Sequence, residues 1–276
     1  MTAHGDRSQP VSGLKNPACY ARALGGCCKQ VVREHYISKG ILKHIPDRKI
    51  PQSKSVLVQN LSFQEKPDSL QPIGVNNLIA KILCKVHNNL LSKYDAAGLL
   101  MYKAMDAIDD ETRTPIRKTS VHIVNGDLLE RWILKSFIGG LYGGSLRVPE
   151  GETMKGSQPP LEFLDILYRN ASFPSGQGLF WIPPESGTPI ATDNLVLRVG
   201  VLPSADGKVM GAFRTWFFGF EFNLLMATLA PTVPTIYDRA SFRPAGIKIM
   251  GLHTQLQFDW ASGPGSGEII LEQCSG

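Results

Sequence analysis

The chain has 276 residues, 43% of them hydrophobic, and a formal net charge of +5. That length and apolar content allow a substantial buried core in one large domain or two ordinary ones. No uninterrupted apolar run reaches the roughly eighteen residues that a membrane-spanning helix needs, so we expect no membrane partner. The mild positive charge suits a polyanionic partner without identifying one.

Residues 1–17 are polar and lack the apolar segment of a secretory signal. We therefore expect a disordered N-terminus and a cytoplasmic protein. The chain contains five cysteines, an odd number that argues against a disulfide framework and for reduced thiols able to bind a metal. Cys274 is expected to have no part in metal binding.

The first predicted elements surround a group of cysteines. Gly25-Gly26 suits a tight turn that brings Cys19 close to Cys27 and Cys28. The run from Lys29 to Ile37 then predicts a strand that leaves this knuckle.

A second strand and a helix are predicted after a long connection. Residues 46–76 are rich in Pro, Lys, Ser and Gln, which predicts an elaborated loop with at most a small strand at residues 56–58. The apolar segment 77–83 predicts the second strand. Apolar residues then recur with helical spacing as far as Ala104, and Asn88 stands where a helix N-cap would.

The second half predicts two helices and several strands. Asn125 is placed to cap a helix over Asp127 to Gly139, which Gly139-Gly140 should end, and a short amphipathic helix is predicted over Leu161 to Arg169. Apolar runs separated by Gly or Pro predict strands at residues 178–182, 194–201, 216–226, 246–250, 255–260 and 268–271.

Soft metal ligands gather in two short segments. Four of the five cysteines and two of the six histidines lie there. The candidate ligands are Cys19, Cys27, Cys28, Cys84 and His87. Because tetrahedral zinc takes thiolate sulfur and imidazole nitrogen in fours, they predict a zinc site closed by distant residues, with Cys27 and Cys28 as alternatives. The plainer explanation is that these cysteines are ordinary buried residues.

The order of these residues resembles the zinc-knuckle form of the HNH, or ββα-metal, nuclease family. The family pattern is a cysteine pair, then Asp-His or Glu-His, then a second knuckle followed by His or Asn. Glu34-His35 and the segment from Cys84 to Asn88 match it in order. The chain departs from the pattern in its long first knuckle, in the missing Pro after Glu34-His35, and in the loose match of Asn76 or Asn77 to the middle Asn.

The resemblance implies a metal-dependent endonuclease that hydrolyses phosphodiester bonds in DNA, with RNA as an alternative substrate. His35 would be the general base on water, Glu34 and Asn88 would hold a catalytic Mg²⁺ or Mn²⁺, and the zinc would be structural. Taken by themselves, the same residues also fit simpler roles, a surface pair for Glu34-His35 and a helix cap for Asn88.

The implied architecture is α+β. A zinc-stabilised ββα module at residues 18–108 precedes a β-rich α+β domain at residues 109–276, whose role in specificity, sensing or dimerisation is open. A homodimer, an activating partner and a part in restriction or defence are compatible with the resemblance.

Basic residues cluster near Glu34-His35. Lys29, Arg33, Lys39 and Lys43 are expected to contact phosphate groups of a nucleic acid, although such a run is often only a solvated face. The alternative function is a zinc-stabilised nucleic-acid-binding or sensor protein whose nuclease centre has degenerated.

Overall fold

The computed structural model describes residues 13–49, 55–59, 61–64, 66, 69–113, 119–146, 154–183, 196–205, 210–217, 220–227 and 240–271. The fold is mixed α+β. Within these ranges, no helix combines the length and hydropathy needed to cross a membrane. Residues 1–12 of the segment predicted to be disordered lie outside the described residues, and so does Cys274. Asn16, from the same segment, is held in place by hydrogen bonds that it donates to the main-chain carbonyls of Cys28 and Lys29.

The elements of the first part are β1 (Val31–His35), α1 (Lys39–Lys49), β2 (Ser55–Gln59), β3 (Gln71–Gly74), β4 (Ile79–Cys84), α2 (Lys85–Leu90) and α3 (Ser92–Arg113). Short 3-10 helices occur at Tyr20–Leu24 and Val75–Asn77. The later elements are β5 (Ser120–Asn125), α4 (Gly126–Tyr142), α5 (Leu161–Tyr168), β6 (Gly178–Ile182), β7 (Val196–Pro203), β8 (Met210–Phe217), β9 (Phe220–Leu225), β10 (Ser241–Phe242), β11 (Gly246–Ile249), β12 (Thr254–Asp259) and β13 (Ile269–Leu271).

Two predicted strands form an antiparallel pair that leads directly into a helix. β1 and β4 confirm the strands predicted at residues 29–37 and 77–83, and they pair through Val31 with Cys84 and His35 with Ile79. A β-bulge interrupts the register opposite Arg33. The prediction that Asn88 caps the following helix is wrong, because α2 begins at Lys85 and Asn88 lies inside it.

The connection between β1 and β4 is more ordered than its composition predicts. It contains α1, β2 and β3 as well as a 3-10 helix, where a loop with at most one small strand was expected. β2 pairs in parallel with β7, far away in the sequence, and β3 pairs with β2. The alternating burial of Val56 and Val58 explains β2, whereas residues 50–54 of this connection lie outside the described residues.

Two larger sheets contain the strands of the second half, and one of them also contains β2 and β3. One sheet has the strand order β10-β6-β9-β8-β7-β2-β3, and the other has the order β13-β11-β12-β5. The single strand predicted at residues 216–226 is wrong, because this stretch contains the end of β8 and all of β9, which pair with each other. Residues 194, 195, 218 and 219 of the predicted strands lie outside the described residues.

Helix α4 lies in the centre of the molecule and reaches the elements that carry the site. Asn125 caps it as predicted, accepting a 2.8 Å hydrogen bond from the backbone N–H of Leu128. The predicted stop at Gly139-Gly140 is wrong, because the helix continues to Tyr142. Gly139 instead permits close packing, since a Cβ there would lie 2.6 Å from Cβ of Tyr36.

The short helix predicted at residues 161–169 is confirmed as α5. The proposed domain boundary after residue 108 falls inside α3, and buried residues on both sides of it belong to one hydrophobic cluster. The division into two domains stays a prediction.

Candidate metal centre

Four of the predicted ligands meet in one buried cluster. Cys19, Cys27, Cys84 and His87 each offer a ligand atom, and these atoms all lie within 4.8 Å of one another. The Nδ1 atom of His87 is 3.4 Å from Sγ of Cys19, 3.7 Å from Sγ of Cys27 and 3.3 Å from Sγ of Cys84. A tetrahedral zinc ion at ordinary Zn–S and Zn–N distances places its nitrogen and sulfur ligands about 3.6 Å apart. The cluster could therefore hold a metal such as zinc.

Local backbone geometry brings the four ligands together. The 3-10 helix after Cys19 ends at Leu24 and is followed by Gly25 and Gly26, whose φ angles of 74° and 68° are ones that glycine adopts without strain. This turn returns the chain to Cys27. Cys84 is the last residue of β4, and His87 follows it in the first turn of α2. A metal here would tie the N-terminal segment to the junction of β4 and α2.

The structure selects Cys27 over Cys28 as the fourth ligand. Cys28 is only half-buried, and its thiol lies 3.5 Å from the main-chain carbonyl of Gln30. Its thiol also forms a side-chain hydrogen bond with Cys84, but Cys28 is not one of the four residues whose ligand atoms all lie within 4.8 Å of one another.

The protonation states in the cluster follow from its burial. Burial raises the pKa of the Cys19 thiol to about 12 and raises that of Cys27 as well. Burial also lowers the pKa of His87, which keeps the imidazole neutral and able to donate a lone pair. Without a cation these thiols stay protonated, and a bound metal would supply the charge that ionises them.

The predicted catalytic carboxylate is buried and paired with a lysine. Glu34 forms an ion pair with Lys135 of α4, whose ammonium group also lies 2.6 and 2.8 Å from the two carboxylate oxygens of Asp95. The ammonium group also donates a 3.3 Å hydrogen bond to the main-chain carbonyl of His35. Burial raises the pKa of Glu34. The charge of Lys135 and a hydrogen bond with Asn88 act in the opposite direction, but the pKa stays above its ordinary value.

His35 and Asn88 flank this pair. The hydrogen bond between Asn88 and Glu34 joins helix α2 to strand β1. The Nε2 atom of His35 and the Oδ1 atom of Asn88 are both buried and have no hydrogen-bond partner among the described residues. Burial lowers the pKa of His35, and the nearby charge of Lys39 lowers it further. Glu34 and Asn88 are thus next to each other, and His35 follows Glu34 on β1.

The four predicted phosphate contacts are all on the surface. Lys29 is exposed just before β1, Arg33 is exposed within β1, and Lys39 and Lys43 are exposed one turn apart on α1. The charges of Lys39 and Lys43 both act on the pKa of His35, which places α1 beside that imidazole. Lys39 and Lys43 therefore lie near the predicted base, whereas Lys29 lies at the other end of the strand pair.

Sequence reasoning missed the polar network behind Glu34. Besides Lys135 and Asp95, the network contains Ser38, which donates a 2.6 Å hydrogen bond to Asp95, and Trp132, which donates a 2.7 Å hydrogen bond to Ser38. Lys135 was recognisable as a lone charge within the apolar run of α4, a position that requires a buried partner. The local sequence does not show which residue that partner is.

Comparison with protein-family models, with curated proteins and with solved structures gives no match for this chain. Function has therefore to be inferred from the chemistry of the site.

Proposed function

We propose that the protein is a metal-dependent HNH-like endonuclease that hydrolyses phosphodiester bonds in DNA, with His35 as the general base on water. The observation that carries this proposal is the pair of buried polar atoms without partners, Nε2 of His35 and Oδ1 of Asn88. His35 follows Glu34 on β1, and Asn88 of α2 forms a side-chain hydrogen bond with Glu34. Unpartnered buried polar atoms are costly, and a catalytic role or a bound ion is one explanation for finding two of them beside a buried carboxylate.

The frame around these residues supports the proposal. β1 pairs with β4, which leads without a loop into α2, and this packing of two strands and a helix resembles a ββα-metal module, although α1, β2 and β3 separate the two strands in sequence. The Cys/His cluster lies at the same junction, since Cys84 ends β4 and His87 belongs to α2. Structural zinc bound there would fix α2 against β4 and thereby hold Asn88 next to Glu34.

His35 has the properties of a general base at neutral pH. Burial and the positive charge of Lys39 keep its pKa below the ordinary value, so the imidazole is neutral. A neutral imidazole can take a proton from water, which makes that water nucleophilic toward phosphorus. Lys135 holds the main chain at this point through the carbonyl of His35.

The oxygen donors of Glu34 and Asn88 suit a hard divalent ion. A carboxylate offers about four acceptor positions, of which Lys135 and Asn88 use two on Glu34, and Asn88 adds an unpartnered amide oxygen. Two carboxylates, Glu34 and Asp95, face the single ammonium of Lys135, which leaves excess negative charge. Oxygen donors and excess negative charge favour Mg²⁺ or Mn²⁺. When bound, such an ion would neutralise charge that develops on the phosphate.

Cleavage of plasmid and oligonucleotide DNA tests this proposal. Wild-type protein of known zinc content should cleave with added Mg²⁺ or Mn²⁺, and His35→Ala should lose at least a hundredfold in rate while keeping its zinc, since general-base catalysis contributes about 10²–10⁴-fold. Lys103→Ala, at an exposed position on α3, is the matched surface control. Equal cleavage by wild type and His35→Ala would refute the assigned base. An RNA strand in the same assay tests the alternative substrate.

One observation favours the second candidate function, a degenerate zinc-stabilised nucleic-acid-binding or sensor protein. The ammonium group of Lys135 already neutralises Glu34, as expected if the catalytic ion had been lost. That function predicts one bound zinc and nucleic-acid binding but no cleavage with either metal ion. A homodimer, an activating partner and a role in defence stay predictions.

A further inference from the structure

A cleft lies on the strand pair that carries His35. Its volume is about 490 Å³, and it is lined by Arg33, Asn76, Asn77, Ile79, Ala80 and Lys81. These residues come from β1, from the 3-10 helix before β4, and from the first half of β4 itself. The cleft is open to solvent on one side, so an extended ligand can enter it.

The lining is cationic and rich in hydrogen-bond donors. Arg33 and Lys81 are exposed, and neither forms an ion pair with another described residue. Asn76 and Asn77 are also exposed and add amide groups, while none of the six lining residues is acidic. Guanidinium, ammonium and amide N–H groups around one open cleft match the oxygens of a phosphodiester backbone.

The surroundings extend the same charge. Lys29 and Lys85 are exposed at the other end of the strand pair, where the N–H group of Lys85 bonds the main-chain carbonyl of Gln30. Glu34 is the sole acidic residue of β1 and β4, and it is buried and paired with Lys135. The exposed charges on this strand pair are therefore all positive.

Strand geometry relates the cleft to the proposed base. Ile79, which lines the cleft, is the cross-strand partner of His35. Side chains alternate along a strand, so His35 and Arg33, two residues apart, point to the same side of the pair, and Glu34 points to the other. The bulge opposite Arg33 re-aims the strand at this point, as bulges next to functional sites often do.

We infer that this cleft binds phosphate groups of the nucleic-acid strand next to the bond presented to His35. The inference rests on the proposed function for its substrate class, and it adds a binding site for the backbone of that substrate. Arg33 and Lys81 each pair with one phosphate group, and Asn76 and Asn77 donate hydrogen bonds to the same strand. Contacts to the backbone position a substrate without selecting a base sequence.

Salt-dependent binding tests the inference separately from cleavage. The double substitution Arg33→Gln/Lys81→Gln is made in the His35→Ala protein, which serves as the background. The affinity of each protein for a fluorescent duplex oligonucleotide is then measured at several salt concentrations without divalent ions. Each lost phosphate contact lowers the slope of log affinity against log salt by about 0.9, so the slope should fall by roughly 1.8. The control pair Lys103→Gln/Lys248→Gln removes the same charge from exposed positions on α3 and β11 and should leave the slope near that of the background.

The outcomes separate the cleft from the nuclease activity. If the cleft pair keeps the slope and affinity of the control pair, the assignment of the cleft is wrong, even where wild type cleaves through His35. If the slope falls but wild type never cleaves, the cleft assignment holds and the nuclease proposal fails. The charge-preserving pair Arg33→Lys/Lys81→Arg should retain the slope, and a loss there would trace the effect to local structure and overturn the inference.

Discussion

Replacing Lys135 by Met should destabilise the protein strongly, because it removes a cation that lies between two carboxylates, Glu34 and Asp95. The side chain of Lys135 is 2% exposed and that of Glu34 is 10% exposed, so this pair is buried, whereas Asp95 is 33% exposed. Breaking a buried ion pair by removing one partner costs about 3–5 kcal/mol, and an exposed pair contributes about 0–1 kcal/mol. We therefore expect a loss of about 3–5 kcal/mol in the free energy of unfolding, most of it from Glu34.

Urea denaturation of the zinc-loaded protein at pH 7 measures this loss. Lys103→Met, on the exposed surface of α3, is the matched control and should change the stability by less than about 0.5 kcal/mol. Adding Glu34→Gln to Lys135→Met removes the unpaired charge and should recover more than about 1 kcal/mol, as contacting residues couple. A loss from Lys135→Met no larger than that of the control would refute the reasoning.

Acidification should reduce the deficit of Lys135→Met. Burial raises the pKa of Glu34, and the charge of Lys135 opposes that rise, so removing Lys135 raises this pKa further. Glu34 then becomes neutral at a higher pH than in wild type, and the cost of its buried charge disappears. The stability difference between variant and wild type should be larger at pH 8 than at pH 5, whereas a simple packing defect would give a difference that does not change with pH.

Three further predictions concern pH and a second buried pair. Burial and Lys39 hold the pKa of His35 below its ordinary value of 6.5, so the cleavage rate should rise with pH and reach its plateau before pH 6.5. Lys39→Met should raise this pKa and move the rising part of the pH–rate profile to higher pH. A profile that does not move would exclude His35 as the titrating base. Glu130 is fully buried and paired with Arg243 at 2.9 Å, so Glu130→Gln should lower the free energy of unfolding by about 3 kcal/mol, and a loss below about 1 kcal/mol in urea would contradict this. Burial raises the pKa of Glu111, but hydrogen bonds from Thr254 and His253 outweigh this effect and leave the pKa below 4.5. The contribution of the Glu111 carboxylate to the free energy of unfolding is therefore complete above pH 4.5 and is lost as the pH falls through the folded-state pKa. Glu111→Gln should therefore cost about 1 kcal/mol at pH 7, and a gap from wild type that does not close on acidification would show that this carboxylate is not the cause.

Local patterns in the sequence predict the elements next to the site. The β-branched residues before Glu34 predict β1, and the Asn125 cap with helical apolar spacing predicts α4. Other elements depend on partners that are distant in sequence. α1 is stabilised by burial of Ile41 and Leu42 and by packing on α3, and β2 by pairing with β7. No local pattern contains these partners, so composition alone favoured a loop.

The candidate site divides in the same way. Ligand type and order predict a Cys/His cluster, but two adjacent cysteines are equivalent in sequence, and only the turn at Gly25 and Gly26 places Cys27 in the cluster. The partner of Glu34 was beyond prediction, because Lys135 comes from a helix a hundred residues further along the chain and reaches it through tertiary packing.

Native mass spectrometry of three proteins tests the metal centre most directly. Wild type and Cys28→Ser should each carry one zinc ion, because Cys28 lies outside the cluster, and Cys27→Ser should lose it or bind it far more weakly. Chelation should then destabilise wild type and Cys28→Ser alike. Wild type without zinc, or loss of zinc from Cys28→Ser with retention in Cys27→Ser, would contradict the Cys₃His centre on which the proposed site is built.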